Sequence, residues 1–356
     1  MQKFFLNALM KKIFLFYFLL MQLSLIAQKK TDDGFHLVDQ MDKKQIDVLY
    51  NGKLLTSYYY ADSAMKPILY PINTLGGITV TRGWPIATRP GERVDHPHHL
   101  GMWLNYEYVN GLDFWNNSTA IPFKDRPHYG SIVHQSVVQS STGKDKAKLE
   151  VTANWVDHYG KILLKEKTLY TFQVEDNNFI IDRTTQLTAV APTVQFNDVK
   201  DGFLGIRVAR QLEHPSDEAQ IFVDNQGNYT SVPAISNEGV TGEYLSSEGK
   251  KGNDVWGTRG TWVSLRGKIN RQPVSITIID HPKNAGYPTY WHARGYGLFA
   301  ANPLGQDVFS KGAEKLNLAL KKDEATTFRY RVVIRSGSEL PVEEIGKLAK
   351  SFAKVK

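Results

Sequence analysis

Three of the chain's ten histidines fall within four positions, in Glu92-Arg93-Val94-Asp95-His96-Pro97-His98-His99. Pro97 cannot donate to a sheet ladder, so the segment reads as a loop or an edge. Locally extended backbone would turn His96 and His98 to one side and His99 to the other. Same-side imidazoles can share proton transfer near neutral pH or bind a divalent metal. His96, His98 and His99 are therefore candidate catalytic residues, and His96 and His98 are the candidate ligands if a metal is present. The competing reading is a hydrogen-bonded structural cluster, although burying three imidazoles without partners is costly.

Two carboxylates stand three residues apart in Asn197-Asp198-Val199-Lys200-Asp201-Gly202, ahead of Leu204-Gly205-Ile206-Arg207. Asp198 and Asp201 suit general acid/base work or metal ligation, and they suit turn formation equally. Glu166 is a weaker candidate, since a solvent-facing pair with Lys165 or Lys167 explains it. Asp280-His281-Pro282 repeats the acid-imidazole pattern directly after a strand. Beyond it, Tyr290-Trp291-His292-Ala293-Arg294-Gly295-Tyr296-Gly297 surrounds a histidine and an arginine with aromatic rings. Trp291 or Tyr296 suits stacking on a sugar ring, and His281, His292 and Arg294 suit hydrogen bonds to hydroxyls or a carboxylate. The competing reading is a core strand whose arginine caps a sheet edge. Imidazoles and carboxylates avoid burial without partners, so these distant segments are expected to converge on one concave pocket.

The elements that must hold these groups are strands. Leu149, Val151, Ala153 and Trp155 alternate with polar residues, as do Val274, Ile276 and Ile278. Leu316, Leu318 and Leu320 follow the same period, and so do Phe328, Tyr330, Val332 and Ile334. Each run predicts a half-buried strand. Lys321 to Ala325 is expected to join the last two as a hairpin. Further strands are expected at 45–60, 161–174, 178–187 and 262–265. Regular strands with turn signals point to an all-β antiparallel sandwich rather than alternating βαβ units. The G-x-G-x-x-G and G-x-x-x-x-G-K-[ST] nucleotide loops are absent from the sequence. One helix is expected, from Pro341 to Phe352, with acids early and lysines late. Val342, Ile345, Leu348, Ala349 and Phe352 share its apolar face. Ser246 to Gly257 reads as a surface loop.

Lys11 and Lys12, the apolar run Ile13 to Ile26, and Ala27 have the layout of a secretory signal peptide. Residues 1–27 are expected to be removed, leaving 28–356 as a single domain that is periplasmic or secreted, without stable membrane insertion. The absence of cysteine excludes disulfides and thiolate chemistry. The formal charge is +7, and setting aside Lys3, Lys11 and Lys12 leaves a mild +4. Its basic residues are scattered, so nucleic acid is not an expected partner.

The run Asp95-His96-Pro97-His98-His99 followed by Gly101-Met102-Trp103, then Asn110-Gly111-Leu112-Asp113-Phe114-Trp115, resembles a secreted bacterial family labelled PmoA-like. The segment from Asp198 to Arg207, Asp280-His281-Pro282 and the segment from Trp291 to Gly305 extend the resemblance in the same order. Leu100 and Gly295 depart from it, standing where a basic and an acidic residue are usual. The resemblance implies carbohydrate work, because such proteins occur in bacteria rich in glycan-degrading genes. The strand pattern also looks like the galactose-mutarotase-like supersandwich. Three functions follow as expectations. One is a carbohydrate-active hydrolase, lyase or epimerase acting on a small-molecule or oligosaccharide substrate. Another is a metal-dependent oxidative enzyme with histidine ligands. The third is a non-catalytic glycan-binding protein.

Overall fold

In strand β7 (Lys146–Val156) the alternation seen in the sequence becomes physical, with every second side chain from Ala147 to Trp155 buried. The computed structural model describes residues 33–232 and 236–355. The expected signal peptide lies outside the described residues. Ahead of β7 come β1 (Phe35–Gln40), β2 (Gln45–Tyr50), β3 (Lys53–Tyr59), β4 (Ile68–Ile72), β5 (Met102–Tyr106) and β6 (Ser131–Thr142). After it come β8 (Ile162–Glu175), β9 (Asn178–Ala189), β10 (Thr193–Gln195), β11 (Gly202–Arg207), β12 (Gln220–Val223), β13 (Tyr229–Val232) and β14 (Glu243–Ser246). The chain continues through β15 (Trp262–Ile269), β16 (Gln272–Asp280), β17 (Tyr290–Arg294), β18 (Leu298–Asn302), β19 (Ala319–Lys321) and β20 (Ala325–Ser336). Two helices, α1 (Gln306–Phe309) and α2 (Val342–Phe352), lie near the end.

Two eight-stranded antiparallel sheets carry the fold. The first runs β1-β2-β3-β4-β5-β11-β18-β17, and the second runs β14-β15-β16-β20-β9-β8-β7-β6. Their facing sides share one apolar core, with Met102, Leu204, Trp291 and Phe299 from the first sheet and Trp155, Phe172, Ile276 and Val332 from the second. The chain is thus an all-β antiparallel sandwich closed by a short C-terminal helix, as expected. Helix α2 covers the outer side of the second sheet, where Ile345, Leu348 and Phe352 bury against Ile180, Trp262, Ile279 and Val333. Val342, assigned to the same face, is 50% exposed at the first turn. No described helix is long and apolar enough to cross a membrane.

Two local expectations fail. Residues 322–324 do connect β19 to β20, but β19 pairs with β10 and not with β20. Leu320 is buried there against Val194 of β10, so its alternation was real and its partner was not local. Glu166 faces the interior. It accepts from Trp155 Nε1 (2.8 Å), Thr168 Oγ1 (2.6 Å) and Arg183 Nη2 (2.9 Å). A carboxylate with that many donors is stable away from water.

Candidate active site

Alternation divides the central strands of the first sheet between two faces. Met102, Leu104, Leu204, Ile206, Trp291, Ala293, Phe299 and Ala301 enter the inter-sheet core. Their neighbours Trp103, Gly205, Arg207, His292, Arg294, Leu298 and Ala300 therefore face the other way. Register sets Trp103, Gly205, Ala300 and His292 in one row across four strands, with Arg207, Leu298 and Arg294 in the next. At a strand spacing of about 4.8 Å the first row spans about 14 Å. Gly205 must be glycine, because a Cβ there would come within 2.7 Å of the Trp103 indole and 3.0 Å of Trp115.

The histidine loop sits at the Trp103 end and is strapped down by Arg82. Buried Arg82 donates through Nη1 to Asp95 O (2.8 Å) and Asp95 Oδ1 (2.5 Å). Through Nη2 it donates to His96 O (3.0 Å) and His99 O (3.2 Å). Arg207 Nη2 donates to the same Asp95 oxygen at 2.6 Å. Burial alone would raise the Asp95 carboxyl, but Arg207, His96 and Arg82 together hold it well below the usual carboxylate range. His96 has φ +46°, an uncommon left-handed conformation for a side chain of this size. The strap on its carbonyl and the Asp95 carboxylate, 3.3 Å from its Nδ1, hold it there.

That turn overrides the extended-backbone expectation and gathers all three rings. His96 stacks parallel to His99 at 4.8 Å and to Tyr296 at 4.9 Å, and His98 meets His99 edge-on at 4.3 Å. His99 lies flat on Trp103. Its Nδ1 is 3.3 Å from Arg207 Nη1, which can only donate, so the ring proton of neutral His99 resides on Nε2. Burial pushes His99 well below the ordinary imidazole value and His98 down to about 2. Lys66, also buried, donates to His98 O at 2.8 Å, and burial pulls its amine down to about 7. Among the described residues, no three histidine, aspartate or glutamate side chains are grouped so as to hold a metal ion.

At the opposite end, His292 Nδ1 lies 2.9 Å from Lys200 O and 3.7 Å from Asp201 Oδ1. A carbonyl can only accept, so Nδ1 carries the proton and Nε2 keeps its lone pair. Nε2 has no hydrogen-bond partner among the described residues. Burial lowers His292 to about 4, so the ring is neutral at pH 7. Glu107 is joined to Asp201 through the backbone, its N–H donating to Asp201 O at 3.0 Å. Burial, then Asp201 and Asp113, push the Glu107 carboxyl up to about 7. Trp256 stands edge-on to His292, with ring centres 6.4 Å apart. Arg294 lies over Trp256 at 5.4 Å and over Tyr296 at 5.8 Å. Tyr296 in turn stacks on His96, so contacts run unbroken from the histidine loop to Asp201. Beside them a cavity of about 350 Å³ is lined by Arg93, His214, Asn253, Trp256, Arg294 and Tyr296, among others.

The structure thus brings His96, His98, His99, Asp201, His292 and Arg294 to one continuous patch. Asp198, His281 and Trp291 lie elsewhere and have structural work. Asp198 accepts from the backbone N–H groups of Asp307 (3.0 Å), Leu316 (2.9 Å) and Asn317 (2.7 Å), which ties α1 to the segment that follows it. His281 closes the second sheet against the C-terminal helix, with Nε2 3.1 Å from Val355 O and its ring edge-on to Phe352. Trp291 is wholly buried, points into the core and donates to Gly260 O at 3.0 Å, so it offers no face to a ligand. Tyr296, the other stacking candidate of the aromatic segment, does lie in the patch. Sequence reasoning missed Lys66, Glu107 and Trp256, which stand in unremarkable sequence, and only packing selects them.

Fold and patch together define a two-sheet β-sandwich protein with an imidazole- and carboxylate-bearing site on one sheet's outer face. The chain belongs to the family of unknown function DUF6807, whose model matches residues 45–350. That match assigns no function, and it does not support the PmoA-like label. No curated protein matches the sequence. Solved structures with a similar fold include a GH36 α-galactosidase from Geobacillus stearothermophilus, at 11% identity and a TM-score of 0.39. The alignment covers 85% of this chain and 41% of that one, so the chain spans about two fifths of the hydrolase. A galactose 1-epimerase from Lactobacillus acidophilus is also similar, at 10% identity and a TM-score of 0.35, with 85% and 98% covered.

Proposed function

We propose that the chain is a carbohydrate-active enzyme that works by proton transfer on the outer face of its first sheet. One observation carries the reading. Neutral His292, its Nδ1–H committed to Lys200 O with Asp201 Oδ1 3.7 Å away, keeps a free Nε2 lone pair on a ring that stands edge-on to Trp256. In this reading His292 is the base, and Glu107, bonded through its backbone to Asp201 and pushed up to about 7 by burial, is the proton donor. Trp256 is the sugar platform in place of Trp291. Two groups poised to exchange protons favour catalysis over binding alone. The substrate is an oligosaccharide or small glycoside met in the periplasm or outside the cell, after removal of residues 1–27.

The test is product detection on a glycoside panel, covering hydrolysis, elimination and epimerisation. The wild-type protein is expected to convert at least one substrate. His292→Gln and Glu107→Gln are each expected to slow it by about 100-fold or more while melting within a few degrees of wild type. Full activity in His292→Gln, or no conversion of any glycoside by wild type, would refute the assignment.

A further inference from the structure

Arg294 differs from the other guanidiniums around the site. Arg82 and Arg207 share the Asp95 carboxylate, and Arg93 is held by Glu213 at 2.6 Å. No carboxylate and no hydrogen bond ties the Arg294 side chain to another described residue. Its contacts are the ring faces of Trp256 and Tyr296. A ring face fixes a guanidinium in place without consuming any of its N–H donors. Arg294 therefore presents an un-neutralised, pre-oriented fork, and it does so on the wall of the 350 Å³ cavity. The same wall carries Arg93, and it carries a single described carboxylate, the exposed Glu218. Asn253 adds polarity nearby: its Oδ1 is occupied by His214 Nδ1 at 3.2 Å, which leaves the amide nitrogen without a partner among the described residues.

We infer that Arg294 is an anion fork and that the sugar taken by this cavity carries an acidic group, a carboxylate or a sulfate. This rests on the carbohydrate reading above and narrows it to acidic glycans. A guanidinium fork matches two oxygens of such a group in one plane, which a lysine in its place cannot do. Arg294 is itself exposed, and a neutral sugar would leave its charge to water alone.

The experiment is calorimetric titration of the full mature chain with uronate-bearing oligosaccharides, their carboxyl-reduced counterparts and sulfated analogues, at low and at high salt. Wild type is expected to bind at least one acidic sugar about tenfold or more tightly than its neutral counterpart. Raising the salt is expected to narrow that ratio. Arg294→Ala is expected to bring the ratio close to one, and Arg294→Lys to restore part of it. Comparison of the carboxylate and sulfate arms identifies the group. Equal binding of the acidic and neutral forms, or an undiminished ratio in Arg294→Ala with unchanged melting temperature, would overturn the anion fork while leaving the carbohydrate reading intact. Absence of binding to every sugar, acidic and neutral, would overturn both.

Discussion

The buried imidazoles make a quantitative demand on stability, and His98 states it most sharply. Its side chain is 8% exposed, and burial, with Lys66 second, pushes its proton affinity down to about 2. In the unfolded chain the same imidazole titrates near 6.5. As pH falls below that value the unfolded state takes up a proton and the folded state does not, so stability is lost toward acid. Between about pH 7.5 and about pH 5.5 the loss from this one group is about 1.4 kcal/mol. Replacing His98 by Asn removes the titration. The destabilisation caused by His98→Asn should then be about 1.4 kcal/mol smaller at the acid pH than at the alkaline one. Urea unfolding of both proteins at the two pH values measures it. Raised carboxyls such as Glu107 and Asp280 work in the opposite direction over this range, but they do so in both proteins and cancel in the difference. A penalty that is the same at both pH values would show that folded His98 takes up a proton freely, and the burial argument would fall.

Two further outcomes follow from the same geometry. Trp291→Ala should cost about 3–5 kcal/mol, as expected for a buried indole, whereas Trp256→Ala, 38% exposed, should cost under about 1 kcal/mol and weaken sugar binding. Chemical denaturation and titration of both variants separate a core tryptophan from a site tryptophan. Lys66 has its folded pKa depressed from 10.5 to about 7, so its burial cost is fully present at and below pH 7 and shrinks toward alkali. Lys66→Met should accordingly stabilise more near neutral pH than at about pH 10, a difference that thermal melts in matched buffers will show.

Much of the architecture could be read directly, because period-two alternation is a local property of a strand. The helix was equally legible, since Pro341, the early acids and the spacing of Ile345, Leu348 and Phe352 all point the same way. Partner choice was not legible: Leu320 reads the same whether β19 joins β20 or β10. Within the site, the fate of Trp291 was present in the sequence. In Tyr290-Trp291-His292-Ala293-Arg294 the indole is out of step with His292 and Arg294, and a strand sends such neighbours to opposite faces. Asp198 and Asp201 could not be told apart in this way, because loop carboxylates are sorted by which backbone N–H groups come to meet them. Trp256 was hidden for a similar reason. A lone tryptophan in a polar loop has no pattern, and its place beside His292 is set by how residues 246–257 pack against β17.

The Arg82 strap also bears on when the site comes into being. The strap itself is local, reaching 13 to 17 residues along the chain, but the ties that anchor its loop are not: Arg207 stands 112 residues beyond Asp95, and Glu213 stands 120 beyond Arg93. Closing loops of that length costs chain entropy, which is recovered only when β5 and β11 have already paired. The left-handed turn at His96 is held by these long-range ties more than by the modest local tolerance of histidine for positive φ, so the loop takes its working shape late in folding. A chain still emerging from the ribosome, or halted before β11, holds its three histidines on an unformed tether. The patch is consequently a product of the finished sheet, and partly folded molecules carry none of its chemistry.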